Sequence, residues 1–212
     1  MDQISNINHR IEVIELTEDN LNMNPFVQLR TWLKEAEDCE LLDYNAMALA
    51  TVGKDLQPSS RMVLLKEILS DGVVFFTNYR SKKAMQLAIQ PKVSAVIYWP
   101  QFERQIRIEG LVERLDEASS DEYYDSRPYG SKIGAWASPQ SQPIPNRNYL
   151  ENLKSDYEEI MKDKIVKRPD FWGGYILKPV LIEFWKGRED RLHDRFEYRK
   201  DEKNWNVQRL AP

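Results

Sequence analysis

The sequence predicts a mainly β fold, an antiparallel barrel with helical additions (α+β). Short β-branched and aromatic runs recur along most of the chain with Gly, Asp, Asn or Pro between them, as is typical of strands joined by turns. Only a few segments show the spacing of apolar side chains that indicates an amphipathic helix. Many short strands with a few helices between them favour an antiparallel barrel.

The N-terminal part combines a polar arm with the first helix. Residues 1–24 are polar and weakly periodic, so we expect a mobile arm. A helix is predicted over residues 24–40, because Asn24 can cap it, Pro25 suits its first turn and apolar side chains share one face. Five strand-like runs follow, at residues 46–53, 59–68, 72–79, 92–100 and 104–115.

The C-terminal half returns to helices and strands. Helices are predicted at residues 116–127, ending before Pro128, and at residues 147–164, with an extended Pro- and Ser-rich stretch at 137–146 between them. We expect a single domain over residues 25–212. Its last predicted strands lie at residues 171–179, 181–187, 191–200 and 205–210, with a turn at Gly187–Asp190.

The composition argues against several classes of function. The 212 residues carry a formal net charge of −4, which argues against a general nucleic-acid binder. The single cysteine, Cys39, indicates a reducing compartment, and only two histidines accompany it, which argues against a His/Cys metal site. We find no signal peptide and no apolar run long enough to span a bilayer. We expect a cytoplasmic protein without metal, membrane or nucleic-acid ligands.

The segment around Ser81 predicts a phosphate site. Ser81 can cap a helix, which places Lys82 and Lys83 in the first turn. The helix dipole disfavours a cation there by roughly 0.3–1 kcal/mol each. A bound phosphate reverses the sign, because free N–H groups, dipole and lysines would all face one anion. Two solvated lysines are the ordinary alternative, and we favour the phosphate site.

Two further basic clusters are compatible with a phosphate. Arg61 and Lys66 bracket an apolar run, although strand ends that reach water explain such cations equally well. In a regular strand they would point to opposite faces. Tyr123 and Arg127 are neighbours on a predicted helix, and with Ser131 in the turn after it they form a donor set that can grip a phosphate monoester. An arginine that compensates the helix dipole is the open alternative.

The last cluster surrounds one of the two histidines. If residues 191–200 form a strand, Arg191, His193 and Arg195 share one face, which is either a solvated edge or a pocket for an anion. The sequence contains neither a P-loop nor a G-x-G-x-x-G motif, and no nucleophile–base pair is evident. We therefore expect two phosphorylated ligands, of which one is a cofactor that supplies the chemistry.

Several motifs, in this order, resemble those of pyridoxine/pyridoxamine 5′-phosphate oxidases. The resemblance runs from about Asn45 to Pro212 and rests on RMVLLKE, FFTNYRSKKA, RQIRIEGLVERL, SRPYGSKIGAWASPQS, FWGGY, IEFWKGREDRLHDRFEY and RLAP. It implies an FMN-binding split β-barrel that forms a homodimer with FMN at the subunit interface. It also implies oxidation of pyridoxine or pyridoxamine 5′-phosphate to pyridoxal 5′-phosphate in vitamin B6 metabolism, with oxygen as acceptor and hydrogen peroxide as product.

The resemblance implies a set of FMN-binding residues. The FMN phosphate would bind Lys82 and Lys83, and the partner subunit would supply the pair Gln140–Ser141 together with Trp185 and Arg195. The complete implied set is Arg61, Met62, Val63, Leu64, Leu65, Lys66, Phe76, Thr77, Lys82, Lys83, Gln105, Gln140, Ser141, Trp185 and Arg195.

The resemblance also implies substrate-binding and catalytic residues. Arg191 and His193 would be the catalytic pair, with Arg191 over the open face of the pyridine ring and His193 on its phenolic oxygen. They would orient the ring for hydride transfer to the flavin. The complete implied substrate set is Lys66, Tyr123, Arg127, Ser131, Arg191 and His193.

Two departures from the family pattern bear on function. Lys82 stands where many members have arginine, and Arg10 has no tyrosine three residues on, so the Arg-x-x-Tyr segment of the arm is absent. We therefore expect that removal of residues 1–20 changes KM little. The alternatives are a related split-barrel flavin oxidase acting on another aromatic substrate, as in the phenazine pathway, and a non-catalytic FMN-binding module.

Overall fold

The computed structural model describes residues 15–202 and 204–212. Within these residues the chain forms nine strands and five α-helices. The strands are β1 (Ala46–Val52), β2 (Pro58–Leu64), β3 (Glu67–Ile68), β4 (Val73–Asn78), β5 (Lys92–Trp99), β6 (Arg104–Arg114), β7 (Trp172–Lys186), β8 (Asp194–Asp201) and β9 (Asn204–Arg209). The helices are α1 (Pro25–Asp38), α2 (Lys82–Ile89), α3 (Glu117–Ser126), α4 (Tyr129–Ala137) and α5 (Arg147–Ile160).

The strands form one antiparallel sheet that curls into a half-barrel. The order is β2-β1-β5-β6-β7-β4-β3, and β8 joins the sheet through β7 and carries β9. β7 makes this branching possible, because its first half pairs with β4 and its second half with β8, while β6 pairs along its other edge. The predicted fold class, an antiparallel split barrel with helical additions, is confirmed.

β7 is longer than the sequence analysis predicted. The two strands expected at residues 171–179 and 181–187 are one continuous strand. The register shifts in its middle, where Glu109 pairs with Leu181 and Gly110 pairs with Pro179. A proline has no N–H group for the ladder and is tolerated at such an irregularity. The apparent break in the sequence is therefore a bulge inside one strand.

The helices agree with the sequence analysis except at α4. Pro128 ends α3 as expected, but it also begins α4, since a proline with φ near −60° is preorganised for helix entry (φ −56° here). α1 matches its prediction. The Asn24 side chain accepts a hydrogen bond from Phe26 N–H, and the apolar face is buried, with Trp32 packed edge-on against Phe184 at 5.2 Å between ring centroids.

The part of the arm that the structure describes is packed against the domain. Leu16 is only 3% exposed and belongs to the core, and Leu21 packs against it. The mobility of the arm stays a prediction. Residues 1–14, including Arg10, lie outside the described residues. In the described part of the chain, no helix combines the length and the apolar character required to cross a membrane.

Gly110 is required by the bulge, and its replacement should destabilise the fold. A Cβ at this position would lie 2.2 Å from the carbonyl oxygen of Lys178, a backbone atom that the ladder holds in place. We expect Gly110→Ala to lower the free energy of unfolding by about 2–4 kcal/mol, as for other backbone clashes. Gly134→Ala is the control, because a Cβ added there would have open space within 4 Å. Urea denaturation of both variants at one protein concentration measures the difference, and equal stabilities would contradict the role of the bulge.

Candidate functional site

Lys83 lies at the centre of a polar cluster at the start of α2. Ser81 caps the helix by accepting a hydrogen bond from Ala84 N–H at 3.4 Å, which places Lys83 in the first turn with 8% of its surface exposed. Its Nζ donates to Thr77 Oγ1 and to Gln140 Oε1, both at 3.0 Å. Burial, with a smaller contribution from Arg61, lowers the pKa of Lys83 to about 8.

Arg61 brings a second cation to the same place. Its guanidinium donates to the Leu49 carbonyl at 3.1 Å and to Thr51 Oγ1 at 2.6 Å, with Gln86 Oε1 at 3.5 Å. These acceptors are neutral, and burial lowers the pKa of Arg61. Among residues 15–202 and 204–212 no carboxylate pairs with Arg61 or Lys83. We call Arg61, Thr77, Lys83 and Gln140 the Lys83 cluster. It has the charge and the donors that an anion at a helix N-terminus requires.

An aromatic stack borders the Lys83 cluster. Phe76, next to Thr77 on β4, stacks on Tyr123 at 3.8 Å and on Trp172 at 5.5 Å between ring centroids. The guanidinium of Arg127 lies over the Trp172 ring at 4.5 Å. The two predicted substrate residues Tyr123 and Arg127 are thus brought to the same place, at the first residue of β7.

One guanidinium nitrogen of Arg127 lacks a hydrogen-bond acceptor among the described residues. Burial lowers its pKa, and its Nη1 atom is buried without a hydrogen-bond partner in the part of the chain that the structure describes. A buried donor left unpaired costs about 1–3 kcal/mol, more when it is charged. Ser131 follows in the first turn of α4, exposed, which corrects the expectation of a turn there. The arrangement suits an anion between Arg127 and the start of α4.

The strand from Arg61 to Lys66 divides between two faces. Val63 and Leu65 are buried, whereas Met62 is 62% and Leu64 39% exposed. β2 ends at Leu64, so the strand alternation that placed Arg61 and Lys66 on opposite faces does not extend to Lys66. Lys66 is exposed and lines a cavity of about 460 Å³ beside α1.

His193 lies outside the strand in which it was predicted. β8 begins at Asp194, and Arg191 ends a short 3-10 turn with a left-handed backbone (φ 60°). The prediction that Arg191, His193 and Arg195 alternate along one strand is therefore wrong. The Nδ1 atom of His193 accepts a hydrogen bond from the Arg188 N–H at 3.1 Å, and the imidazole lies 4.7 Å from the Trp185 ring. The neutral imidazole consequently carries its proton on Nε2.

Gln105, Trp185 and Arg195 form a row across three strands. Gln105 pairs with Trp185 and Trp185 with Arg195. Arg195 donates to Glu183 Oε1 and to the Ala211 carbonyl, both at 2.8 Å. Glu183 is 2% exposed and also pairs with Arg107 at 2.8 Å, so this buried carboxylate fixes two guanidinium groups. Sequence analysis missed Glu183, although a lone acidic residue inside an apolar strand is a usable signal.

The two groups of predicted site residues lie at opposite ends of β7. Trp172 begins the strand beside Arg127, and Trp185 lies next to its end beside His193. These tryptophans are thirteen positions apart, or about 40 Å along an extended strand at 3.3 Å per residue. We call the residues around Trp172 and the residues around Trp185 the two half-sites of the chain.

Gln140 lies beside Lys83 of its own chain. Its Oε1 atom accepts hydrogen bonds from Thr77 at 3.1 Å and from Lys83. That Gln140 contacts the cofactor of the partner subunit, together with Trp185 and Arg195, stays a prediction. Ser141 follows in a left-handed conformation (φ 70°) and is exposed.

Two known families match different parts of the chain. Residues 33–152 match the family described as pyridoxamine 5′-phosphate oxidase. Residues 172–212 match the one described as pyridoxine 5′-phosphate oxidase C-terminal dimerisation region. The second match begins at the first residue of β7.

Individual proteins agree with these matches. Pyridoxine/pyridoxamine 5′-phosphate oxidase of Cyanothece sp. is 48% identical over 93% of this chain and 92% of its own. The enzyme of the same name from Aliarcobacter butzleri is 49% identical over 91% and 92%. The structure of PhzG from Burkholderia lata, in complex with tetrahydrophenazine-1-carboxylic acid, superposes with a TM-score of 0.88 at 30% identity over 95% of this chain and 100% of its own. A related FMN-binding protein from Nostoc punctiforme shares the fold, with a TM-score of 0.72 at 18% identity over 91% and 99%.

The pKa of Lys83 predicts how stability changes with pH. Between the value of about 8 in the folded protein and the ordinary value of 10.5, the unfolded chain binds a proton that the folded chain has released. The free energy of unfolding of the flavin-free protein should therefore rise across this window, by on the order of 3 kcal/mol. Lys83→Met should abolish this rise in the free energy of unfolding. Lys82→Met is the control, because Lys82 is exposed and its replacement should leave the rise unchanged. Denaturation curves measured from pH 7 to 10 test this prediction. Identical curves for the two variants would contradict the claim that the charge of Lys83 is buried without a compensating carboxylate.

Proposed function

The chain belongs to the pyridoxine/pyridoxamine 5′-phosphate oxidase family, and we propose that it oxidises pyridoxine or pyridoxamine 5′-phosphate to pyridoxal 5′-phosphate in the cytoplasm. With the alcohol, oxygen is reduced to hydrogen peroxide; with the amine, water is also consumed and ammonia is released. The observation that carries this proposal is the presence of two separate cation sites, one at the buried Lys83 and one at the half-buried Arg127, each without a carboxylate partner among the described residues. One cofactor phosphate and one substrate phosphate would satisfy both.

The Lys83 cluster fits the terminal phosphate of FMN. Two cations, a threonine hydroxyl and the amide of Gln140 converge there at the N-terminus of α2, with Lys82 exposed beside them. A phosphate dianion would remove the mutual repulsion of Lys83 and Arg61. Bound FMN supplies the hydride acceptor. Met62 and Leu64, exposed on the outer face of β2, offer apolar surface to a flavin ring, as the family resemblance implies.

The Arg127 end fits the phosphate of the substrate. Tyr123, Arg127 and Ser131 provide hydroxyl and guanidinium donors around the start of α4. The buried Nη1 atom of Arg127 needs an acceptor, and a phosphate oxygen can fill that role. We propose that Lys66 completes this set from the end of β2. The aromatic stack holds Tyr123 flat and limits the access of water to the site.

The other end of β7 fits the pyridine ring and the flavin. We propose that Arg191 covers the ring and that His193, with its proton on Nε2, donates a hydrogen bond to the phenolic oxygen. We also propose that Gln105, Trp185 and Arg195 contact FMN. The buried Glu183 fixes the guanidinium of Arg195 in one orientation. These residues orient the reacting carbon toward the hydride acceptor, and correct orientation alone can supply several kcal/mol of catalysis.

The positions of the two half-sites at opposite ends of β7 support a homodimer. The two ends of β7 are about 40 Å apart along the strand, and the matched C-terminal dimerisation region starts where β7 starts. A two-fold axis brings the Trp172 end of one chain to the Trp185 end of its partner. Two equivalent composite sites result.

A second candidate is a related flavin oxidase that acts on an unphosphorylated aromatic substrate. Its support is the PhzG structure, which shares the fold and 30% of the sequence. The Nη1 atom of Arg127 is buried and has no hydrogen-bond partner among the described residues, which favours the phosphorylated substrate, because a neutral ligand would supply no anionic acceptor.

The reaction can be tested directly. FMN-loaded protein, pyridoxine 5′-phosphate and oxygen should yield pyridoxal 5′-phosphate, detected by its absorbance, together with hydrogen peroxide. Unphosphorylated pyridoxine, at equal concentration, should react at least about 100-fold more slowly in kcat/KM, since about 3 kcal/mol of charge-assisted contacts is lost. Acid release of the cofactor should give FMN rather than FAD. Equal rates with both substrates, or no pyridoxal 5′-phosphate at all, would refute the proposal.

Subunit complementation tests the composite site. Arg127→Met and Arg191→Met should each lower activity by a factor of about 10 to 1,000. Co-refolding equal amounts of the two variants should restore about one quarter of the parent activity, because half of the dimers are mixed and each mixed dimer has one unaltered site. If both residues served the same site from the same chain, mixing would restore nothing.

A further inference from the structure

The carboxylate of Asp194 pairs with two arginines, Arg188 and Arg209, next to the loop that contains His193. It is the first residue of β8 and is 8% exposed. Its Oδ2 atom pairs with Nε of Arg188 at 2.6 Å, and its Oδ1 atom pairs with Nη1 of Arg209 at 2.8 Å. Arg188 begins the loop that leads to His193, and Arg209 ends β9. One buried carboxylate thus connects the loop to the last strand.

Both arginines also pair with acidic residues of the N-terminal segment. Arg188 Nη1 pairs with Glu15 at 2.8 Å, and Arg209 holds both carboxylate oxygens of Glu18 at 2.8 Å. Hydrogen bonding to Arg209 lowers the pKa of Glu18 to about 2, so the contact stays charged at any working pH. We call Glu15, Glu18, Arg188, Asp194 and Arg209 the Asp194 network.

Arg188 connects the Asp194 network to His193. Its side chain is fixed by Asp194 and Glu15, and its backbone N–H donates to Nδ1 of His193. Any movement of Arg188 therefore displaces the hydrogen bond that sets the orientation and the proton position of the imidazole. The sequence gives no local signal of this link, since Glu15 and Arg188 are 173 positions apart.

The loop needs external restraint. Asp190 and Arg191 both have a left-handed backbone, with φ of 54° and 60°. A non-glycine residue pays roughly 1–2 kcal/mol in that region and stays there only where its surroundings hold it. The Asp194 network spans the loop from Arg188 to the start of β8. Its release would allow Arg191 to return to an ordinary conformation, away from its place in the proposed site.

We propose that the Asp194 network is a positioning device that holds Arg191 and His193 for the substrate ring, and that Glu15 and Glu18 make the N-terminal segment part of it. The inference rests on the proposed function of Arg191 and His193. It replaces, for residues 15–20, the expectation that the arm contributes little to KM. Glu15 and Glu18 are exposed, and exposed ion pairs contribute little to stability, so their effect on activity can be separated from folding.

Kinetics of Glu15→Gln/Glu18→Gln test the proposal in the FMN-loaded enzyme. We expect kcat/KM for pyridoxine 5′-phosphate to fall by on the order of tenfold, with unchanged FMN content and thermal midpoint. Glu151→Gln is the control, because it removes an equally exposed pair with Arg147 on α5 and should have no effect. The exchange rate of the Arg188 amide, measured by hydrogen exchange, should rise only in the double variant.

A double-mutant cycle separates positioning from general support. In an Arg191→Met/His193→Asn background, Glu15→Gln/Glu18→Gln should lower kcat/KM by less than about threefold, since both groups that they position are already impaired. An equal loss in both backgrounds, or no loss in the parent, overturns the inference while the proposed function stands. A parent enzyme that forms no pyridoxal 5′-phosphate overturns the proposed function, and this inference with it.

Discussion

A fifteen-residue strand with a bulge at its centre separates the two halves of the candidate site. β7 pairs with β6 along its length, with β4 near its start and with β8 near its end, so each end of it is embedded in a different part of the sheet. The separation cannot be relieved by loop movement, because both Trp172 and Trp185 lie within the ladder. A composite site between two chains is therefore the arrangement that we propose, and the matched dimerisation region, which begins at the first residue of β7, supports it. The bulge at Pro179 and Gly110 allows so long a strand to curl into the barrel wall.

The two ends of β7 differ in how their charges are balanced. Near Trp172, Arg127 and the Lys83 cluster hold buried or half-buried cations whose contacts are neutral groups among the described residues. Near Trp185, buried carboxylates pair with the arginines, as Glu183 does with Arg195 and Asp194 does with Arg188. Unpaired cations suit the capture of a phosphate, whereas paired ones are fixed in direction and suit the orientation of a ring. The charge pattern thus supports the different tasks that we propose for the two ends of β7.

Patterns among residues that are close in sequence predicted the helices and strands. The arrangement of the site depends on contacts between residues that are far apart in sequence. The cap at Ser81 and the apolar face of α1 are set by neighbours in sequence, and both predictions hold. Pro179 and Pro128 were ambiguous, because a proline can end an element, interrupt its register or begin the next one. The left-handed backbone of Arg191 defeats the alternation rule, which holds only for extended residues. The side on which Gln140 lies depends on a loop that folds back over α2, and no local pattern encodes that contact.

The fold by itself does not discriminate between the two candidate chemistries, since the PhzG structure shares it over 95% of this chain. The two candidate substrates differ in whether they supply an acceptor for one atom of Arg127. Among the described residues the buried Nη1 of Arg127 has no acceptor, and a phosphate-free substrate would not supply an anionic one. The guanidinium lies over the Trp172 ring at 4.5 Å, which holds it beside the aromatic stack. The stack and the charge together therefore make an anionic substrate the more favourable occupant of this end of β7.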